Sequence, residues 1–143
     1  MKIIVVSGGF DPIHSGHIAM LQEAAMMGDM VIAGLNSDEW LKRKKGKPFM
    51  PREERKIILR SIQWVDSVWD FDDSDGTACD FLHKVRSYYE LKANDFVFAN
   101  GGDRTIQDAR NRHSSLNRDL AVCQRYQIKM VYNVGHGGKI QSS

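Results

Sequence analysis

Two kinds of hydrophobic pattern alternate along the chain. Short runs of apolar, mostly β-branched residues predict buried parallel strands, whereas apolar residues spaced three or four apart predict helices. The predicted strands are Lys2–Ser7, Met30–Leu35, Val65–Phe71, Phe96–Ala99 and Ile128–Val134. The predicted helices span residues 17–27, 51–60, 79–91 and 117–126. Residues 104–115 are polar, and their pattern favours neither type of element.

This rhythm of strands and helices indicates the fold class. Strands that alternate with helices predict a parallel sheet with right-handed crossovers and helices on both faces. We therefore expect an α/β three-layer sandwich with a five-stranded parallel sheet. The 143 residues suit a single domain, 1–143, and are too few for two comfortable ones. Ligands of such sheets bind beyond the carboxyl ends of the strands.

The composition narrows the classes of protein. Hydrophobic residues make up 42% and charged residues 27%, as in soluble globular proteins. A net charge of +2 is too small to indicate nucleic-acid binding by itself. No apolar run reaches membrane-spanning length, and the N-terminus enters a strand pattern directly, so we expect no signal peptide. Cys79 and Cys123 are far apart and predict reduced thiols, so we expect a cytoplasmic protein without nucleic-acid or membrane partners.

The strongest functional signal lies between the first strand and the first helix. Residues 7–17 read Ser-Gly-Gly-Phe-Asp-Pro-Ile-His-Ser-Gly-His. Gly8 and Gly9 let the backbone approach a bulky anion, and the helix N-terminus offers unpaired N–H groups. His14 and His17 add side-chain donors, which a glycine loop lacks. The segment therefore predicts a phosphate site in an enzyme that acts on a nucleoside triphosphate.

Three further loops are expected at the same edge of the sheet. They span residues 36–47, 100–104 and 135–143 and are rich in Gly, His, Lys, Asn and Ser. The phosphate loop of ordinary ATPases and the dinucleotide-binding fingerprint are both absent. The acidic run Asp70–Gly76 superficially suggests a calcium loop, but Phe71 and Leu82 stand where ligands are required. We expect Asp70–Gly76 to be a solvated loop.

The segment from Gly8 to His17 resembles the signature of the HxGH nucleotidyltransferase superfamily, in its cytidylyltransferase-like branch. This branch includes glycerol-3-phosphate cytidylyltransferase and the adenylyltransferase that forms ADP-heptose. The similarity continues through the basic segment and the following helix, in Leu35–Asp38, Lys42, Lys45-Gly46 and Pro51–Arg55. Gly101-Gly102-Asp103 resembles the segment that the family places beside the base and ribose. The resemblance implies a Rossmann-like fold.

The resemblance also implies a reaction and the residues that carry it. An oxygen of a small phosphorylated acceptor attacks the α-phosphorus of the nucleotide, and pyrophosphate leaves. His14 and His17 would donate to the phosphates, while Lys42 and Lys45 would neutralise them. Mg²⁺ would be held largely by the nucleotide phosphates and water rather than by a protein cage. The candidate nucleotide-binding residues are Gly8, Gly9, Phe10, Asp11, Gly16, Gly101, Gly102, Asp103, Ile140, Ser142 and Ser143, and the candidate substrate-binding residues are Asp38, Arg55 and His136.

Several of these residues have an ordinary structural alternative. Asp11 is equally consistent with holding the turn through its side chain. Arg55 either binds phosphate or pairs with neighbouring carboxylates. Arg43 and Lys44 are consistent with simple solvation. A zinc site at His14 and His17 is disfavoured because no third ligand stands at a suitable spacing.

Two departures from the family pattern leave the substrates open. The C-terminal element Ile-Ser-Thr-Thr is Ile140-Gln-Ser-Ser here, with His136 in place of an arginine, and Gly101-Gly102-Asp103 is nearer the heptose type. We prefer CTP, with a polyol or sugar phosphate as acceptor. The alternatives are an adenylyltransferase that uses ATP on a heptose phosphate or coenzyme precursor, and a nucleotide sensor without turnover. A homodimer is expected by analogy alone.

Overall fold

Five parallel strands form the central sheet in the order β3-β2-β1-β4-β5. The computed structural model describes residues 1–89, 94–102 and 104–135. The strands are β1 (Lys2–Gly8), β2 (Met30–Leu35), β3 (Ser67–Asp70), β4 (Asp95–Gly101) and β5 (Ile128–Val134). In the centre of the sheet, Ile4 of β1 lies opposite Val31 of β2, and Ile3 lies opposite Phe96 of β4. The predicted α/β Rossmann-like class with a five-stranded parallel sheet is confirmed.

The helices of the described residues connect these strands. They are α1 (Ser15–Met27), α2 (Asp38–Lys45), α3 (Arg52–Arg60), α4 (Cys79–Tyr88), α5 (Ile106–Arg110) and α6 (Ser115–Tyr126). Helices α1, α3, α4 and α6 match the predicted helices, with ends shifted by a few residues. The predicted end of α4 at Leu91 lies outside the described residues.

Helix α2 corrects the prediction that residues 36–47 form a loop. The Ser37 hydroxyl accepts the N–H of Trp40, and Asp38 and Glu39 occupy the first turn. Lysines occupy the last turn, and Gly46 ends the helix with φ 90°. These are ordinary start and stop signals, since a hydroxyl cap, first-turn acids and last-turn bases all suit the helix dipole. Eight residues with a single buried apolar side chain, Leu41, hid the helical periodicity.

Helix α5 occupies part of the segment whose pattern favoured neither type of element. Thr105 and Asp108 form a reciprocal capping box, in which each side chain accepts the backbone N–H of the other. This pairing satisfies two backbone donors at the helix start. Only Ala109 of the helix is buried, so no apolar stripe signalled it in the sequence.

The core lies on both faces of the sheet because successive side chains of β1 point to opposite sides. Ile4 and Val6 pack in a cluster that contains Leu21 of α1 and Leu59 of α3. Ile3 and Val5 pack in a second cluster, which contains the predicted apolar face of α4 (Phe81, Leu82 and Val85) and Cys123 of α6. The sheet is thus covered on both sides, and its carboxyl edge stays open for a ligand.

Within the described ranges, no helix combines the length and the apolar character that crossing a bilayer requires. Both cysteines are free thiols, as predicted, and Cys123 is buried.

Candidate active site

A cleft of about 380 Å³ lies at the carboxyl edge of the sheet. Its walls come from the ends of β1, β2 and β4, the start of α1, the loop before α4, and α6. Seven of the predicted site residues line it, namely Gly8, Phe10, His14, Gly16, His17, Gly101 and Gly102. The loops after β1 and β4 therefore do converge on one space, as their positions in the sequence predict.

The two histidines form the beginning of α1 as well as a wall of the cleft. His14 is the N-cap residue, and its Nδ1 accepts the backbone N–H of Gly16 at 3.0 Å. The Nδ1 of His17 accepts the backbone N–H of His14 at 3.2 Å. The imidazole rings stack with their centroids 3.9 Å apart. The rings are thus fixed by the helix start that they cap.

These hydrogen bonds define the tautomer of each imidazole. A ring nitrogen that accepts a backbone N–H carries no proton, so the neutral ring is protonated on the other nitrogen. We infer that Nε2 is the N–H donor in both His14 and His17. Two such donors beside the N-terminus of a 13-residue helix create a setting that favours an anion.

Close packing behind the glycine turn keeps this arrangement in place. Phe10 is buried with φ 50°, and its ring lies 5.1 Å from that of His17. A Cβ at Gly9 would lie 2.8 Å from Cδ2 of Leu41, so a larger residue would require the Leu41 side chain of α2 to shift. Gly9 therefore acts through packing, and it is Gly8 that lines the cleft.

Asp11 is anchored to the protein in this structure. Its carboxylate accepts the backbone N–H groups of Phe49 and Met50 at 2.6 and 2.7 Å, and it pairs with Lys45 at 2.9 Å. Burial opposes its ionisation, but the hydrogen bonds from Lys45, Phe49 and Met50 outweigh this and lower the pKa of Asp11. Of the two interpretations, holding the turn is the one that these contacts favour. Lys45 also donates to the Asp11 carbonyl, so the structure places its ammonium on the turn rather than across the cleft.

Arg55 is paired with a carboxylate in this structure, which is the structural alternative to phosphate binding. Its side chain has 0% exposure, and its guanidinium pairs with the carboxylate of Asp38. The same guanidinium donates to the carbonyls of Gly9, Asn36 and Met50, each at 2.9 Å. These contacts occupy the N–H groups of the Arg55 guanidinium. Arg55 and Asp38 therefore hold the phosphate loop, the end of β2 and the start of α2 together. Their role in this structure is to position the site.

The acidic run Asp70–Gly76 is not simply the solvated loop that was expected. Asp73 is buried, and its carboxylate accepts hydrogen bonds from the Asn36 amide and from the backbone and hydroxyl of Ser37, at 2.7 to 2.9 Å. Gly76 and the following Thr77 line the cleft. The prediction failed because an acidic run is usually solvated, whereas here buried donors at the end of β2 satisfy one carboxylate.

The helical geometry of α2 decides which basic residues lie near the cleft. Trp40, Arg43 and Lys44 stand at spacings of three and four, and therefore share a face. They line a second cavity of about 270 Å³, which shares Trp40, Gly76 and Ser115 with the main cleft. The Lys44 ammonium lies 5.1 Å from the Trp40 ring centroid, and Arg43 donates to the Asp73 carbonyl at 2.9 Å. Lys42 is exposed and, like Lys45, does not line the described cleft.

Three residues that line the cleft were not predicted from the sequence, namely Trp40, Thr77 and Asp119. Asp119 lies on α6 with 3% exposure. Burial raises the pKa of Asp119 to about 6, against the lowering effect of hydrogen bonds from Ala78 and Cys79 and of the nearby Arg104. The capping residues Ser37 and Gly46 could have predicted α2 and, with it, the position of Trp40. No local sequence pattern indicates that a single aspartate on an amphipathic helix lines a cleft.

Several predicted site residues lie outside the described residues, namely Asp103, His136, Ile140, Ser142 and Ser143. The last described residue, Gly135, lines the cleft with φ 92° and donates its N–H to Glu23 at 2.7 Å. A Cβ there would lie 2.8 Å from the backbone of Met20, so only glycine fits this close approach.

A parallel α/β sheet whose phosphate loop ends in a histidine-capped helix defines a nucleotide-binding protein of the nucleotidyltransferase kind. The comparison with protein families agrees with this class. The model of the cytidylyltransferase-like family matches residues 5–136. The chain belongs to the cytidylyltransferase-like family.

Similar proteins include the bifunctional protein HldE of Citrobacter koseri. It is 34% identical over 126 residues, which cover 81% of this chain and 26% of HldE. HldE of Enterobacter sp. strain 638 is 33% identical over the same length and the same shares. The match thus spans about a quarter of the length of these curated relatives.

Known structures are similar in fold. The lipopolysaccharide core biosynthesis protein from Thermoplasma volcanium superposes with a TM-score of 0.66 at 20% identity, over 93% of this chain and 96% of that one. A putative nicotinate-nucleotide adenylyltransferase from Vibrio parahaemolyticus gives a TM-score of 0.53 at 17% identity, over 92% of this chain and 74% of that one. At these identities the likeness establishes the fold alone.

Proposed function

We propose that this chain transfers a nucleoside monophosphate from CTP or ATP to a small phosphorylated acceptor and releases pyrophosphate. The observation that carries the proposal is the position of the His14 and His17 imidazoles in the wall of the cleft, beside the N-terminus of α1 and the Gly8 turn. Backbone and imidazole donors aimed at one space suit phosphates, which offer only acceptors.

The proposed chemistry is a direct in-line displacement. An oxygen of the acceptor phosphate forms a bond to the α-phosphorus, while the bond from the α-phosphorus to the bridging oxygen breaks. Pyrophosphate leaves with the electron pair of that bond. The attacking oxygen is already anionic at neutral pH, so no general base is required. His14 and His17 would stabilise negative charge that grows on the phosphate oxygens, and positioning supplies much of the remaining rate.

Positive charge across the cleft has more than one candidate source. Lys42 and Lys45 are the residues that the family resemblance implies, and both stay predictions. The face of α2 adds Arg43 and Lys44, which line the second cavity next to the main cleft. We propose that these two side chains attract the acceptor phosphate or the leaving pyrophosphate, since a cavity lined by one sign of charge concentrates anions.

Magnesium is proposed to arrive on the nucleotide. Phosphate oxygens and water are ligands that Mg²⁺ prefers, and it commonly keeps several waters. Asp11, Asp38 and Asp73 are paired with protein donors in this structure. The described residues contain no cluster of three His, Cys, Asp or Glu side chains suited to a metal. The ion would lower the charge of the triphosphate, and the chain's own residues would orient it.

The base is the open choice between two candidates. The sequence-based preference is CTP, with a polyol or sugar phosphate as acceptor. The Gly101-Gly102-Asp103 sequence is nearer the type found in the ADP-heptose-forming adenylyltransferase, and the similarity to HldE supports the same candidate. An adenylyltransferase acting on a heptose phosphate is therefore the second candidate. The homodimer remains a prediction by analogy, which sedimentation of the purified chain would test.

Thermal-shift screening against CTP, ATP, GTP and UTP with Mg²⁺ tests the proposal. A ligand that binds only the folded state raises the melting temperature, so a selective shift identifies the base. Pyrophosphate release with a panel of polyol and sugar phosphates then identifies the acceptor. A shift without pyrophosphate release from any acceptor would favour the sensor alternative. Unchanged turnover in His14→Ala and His17→Ala would place the reaction elsewhere.

A further inference from the structure

A buried carboxylate stands in the wall of the cleft without a role in phosphate binding. Asp119 of α6 has 3% exposure and lines the cleft together with Thr77, Ala78 and Ser115. Its Oδ1 accepts the backbone N–H of Ala78 at 2.9 Å and lies 3.5 Å from the Cys79 thiol. Among the described residues, both hydrogen bonds of this carboxylate use Oδ1. Its Oδ2 therefore has acceptor capacity left for a ligand.

The chemistry of a carboxylate excludes the phosphates as its partner. A negative charge repels phosphate oxygens, and neither group has a proton to donate. The groups of the substrates that do donate are hydroxyls and amines. Asp119 therefore suits a hydroxyl-bearing or amino-bearing part of a substrate.

The position of Asp119 favours the acceptor over the nucleotide base. Asp119 contacts Ala78 and lies one helical turn from Ser115, although Arg104, next to the segment that the family resemblance puts beside the base and ribose, is also near it. Ser115 and Gly76 also line the second cavity, where Arg43 and Lys44 supply positive charge. An acceptor whose phosphate lies toward those cations would present its carbon chain to the α6 side.

We propose that Asp119 is a specificity-determining residue, which accepts a hydrogen bond from a hydroxyl of a polyol or sugar phosphate acceptor. This assignment rests on the proposed function, and it adds to that function the residue that recognises a hydroxyl of the acceptor. A carboxylate accepts strong hydrogen bonds from hydroxyls, because it is charged. Leaving a buried carboxylate without such a partner on substrate binding costs free energy. A site of this kind discriminates strongly against an analogue that lacks the hydroxyl.

The ordinary alternative is that Asp119 only caps α4. Ala78 is the N-cap residue of α4 and has no capping side chain, so the bond from its N–H to Asp119 is structurally useful. That role accounts for Oδ1 and leaves Oδ2 unexplained. Asn fills the same volume and keeps an amide oxygen for the Ala78 N–H. The variant Asp119→Asn therefore separates the two roles.

The test measures pyrophosphate release by the full chain with Mg²⁺ and a saturating nucleotide. The acceptors are glycerol 3-phosphate and heptose 1-phosphate, each compared with an analogue that lacks one hydroxyl, such as 3-hydroxypropyl phosphate. We expect Asp119→Asn to raise the acceptor KM by roughly 10- to 100-fold. The Kd of the nucleotide, measured by calorimetry, should stay within about twofold, because its contacts are independent of Asp119.

The analogue provides the sharper criterion. Removing the hydroxyl that bonds to Asp119 should raise the acceptor KM of the wild type strongly. The same removal should hardly change the KM of Asp119→Asn, because that variant already lacks the hydrogen bond. Asp80→Asn is the matched control, because Asp80 of α4 contacts the Asp72 backbone and Lys84 instead of the cleft.

Each other result overturns the inference. Equal acceptor KM values in wild type and Asp119→Asn, with or without a change in melting temperature, would leave Asp119 a structural cap. A weakened nucleotide Kd with an unchanged acceptor KM would assign the carboxylate to the nucleotide. Failure of the proposed function is seen separately, because wild type itself would then release no pyrophosphate with any acceptor, and the inference would fail with it.

Discussion

The backbone N–H of His14 donates to Nδ1 of His17 at 3.2 Å, and the two rings stack 3.9 Å apart. This hydrogen bond orients the ring of His17, and a second one, from the Gly16 N–H to Nδ1 of His14, orients the other ring. The side chains that shape the helix N-terminus are also those proposed to contact the phosphates. Structure and chemistry are therefore coupled at this point, and substitutions must be chosen to separate them.

His14→Asn separates the cap from the donor. Asn is a good N-cap residue, so the hydrogen bond from Gly16 has a replacement acceptor, but the Nε2 donor is lost. We expect stability within about 1 kcal/mol of wild type and turnover lowered by roughly 10²-fold or more. Urea unfolding and pyrophosphate release check the two parts. His113→Asn, at an exposed histidine outside the cleft, should change neither.

Arg55→Ala tests the buried hydrogen-bond network of the Arg55 guanidinium behind the phosphate loop. The guanidinium has 0% exposure and pairs with Asp38, so its removal leaves a partly buried carboxylate and three carbonyls without their donor. We expect the free energy of unfolding to fall by about 3–5 kcal/mol. Arg60→Ala, at an exposed position at the end of the same helix, is the control. A loss of substrate affinity at unchanged stability would restore Arg55 to the substrate-binding residues.

Asp11 gives the stability a dependence on acidic pH. Its pKa is lowered in the folded protein, so its contribution is present above about pH 4 and is lost as pH falls through the folded value. We expect Asp11→Asn to cost about 1–2 kcal/mol at pH 7, because the hydrogen bonds to the charged carboxylate weaken. The difference from wild type should shrink in strong acid. Urea unfolding at a series of pH values measures it, and a difference independent of pH would contradict the assignment.

Asp119 should show the opposite dependence. Its pKa is raised from 3.8 to about 6, so its protonated form stabilises the folded state below about pH 4, and this stabilisation is lost as pH rises through 6. Asp119→Asn should match wild type near pH 4 and be more stable at pH 7.5, by at most about 3 kcal/mol. Denaturant unfolding at both pH values tests this. A variant less stable than wild type at pH 7.5 would show that the charged carboxylate stabilises the fold.

The face of α2 that lines the second cavity predicts which basic residues contribute to acceptor binding. Arg43→Ala and Lys44→Ala should each raise the acceptor KM several-fold, with a steeper effect at low salt, because their charges line the second cavity. Lys47→Ala, at an exposed lysine beyond the helix, is the control. Lys42→Ala and Lys45→Ala, measured alongside, test the positions that the family resemblance implies. A larger effect at Lys42 than at Arg43 and Lys44 would favour the resemblance.

Local patterns predicted the sheet well because buried parallel strands are continuous apolar runs. Met30–Leu35 and Ile128–Val134 begin and end where the sequence indicated. The short helix α2 escaped because only Leu41 of its eight residues is buried, although Ser37 and Gly46 marked its ends. Treating the segment as a loop hid Trp40 and left Arg43 and Lys44 interpreted as solvated residues.

The sequence by itself determined the fold class, the phosphate loop and the two histidines, because these depend on contiguous residues and short-range spacing. Tertiary structure decided which charges are available to a ligand. Arg55, Asp11 and Asp73 form hydrogen bonds with residues as far as 46 positions away along the chain, and these bonds occupy their charged groups. Asp119 shows the converse, since only the packing of α6 against α4 buries it beside the cleft. Pairing and burial are properties of the folded chain, and they decide whether a charged side chain supports the site or contacts its ligand.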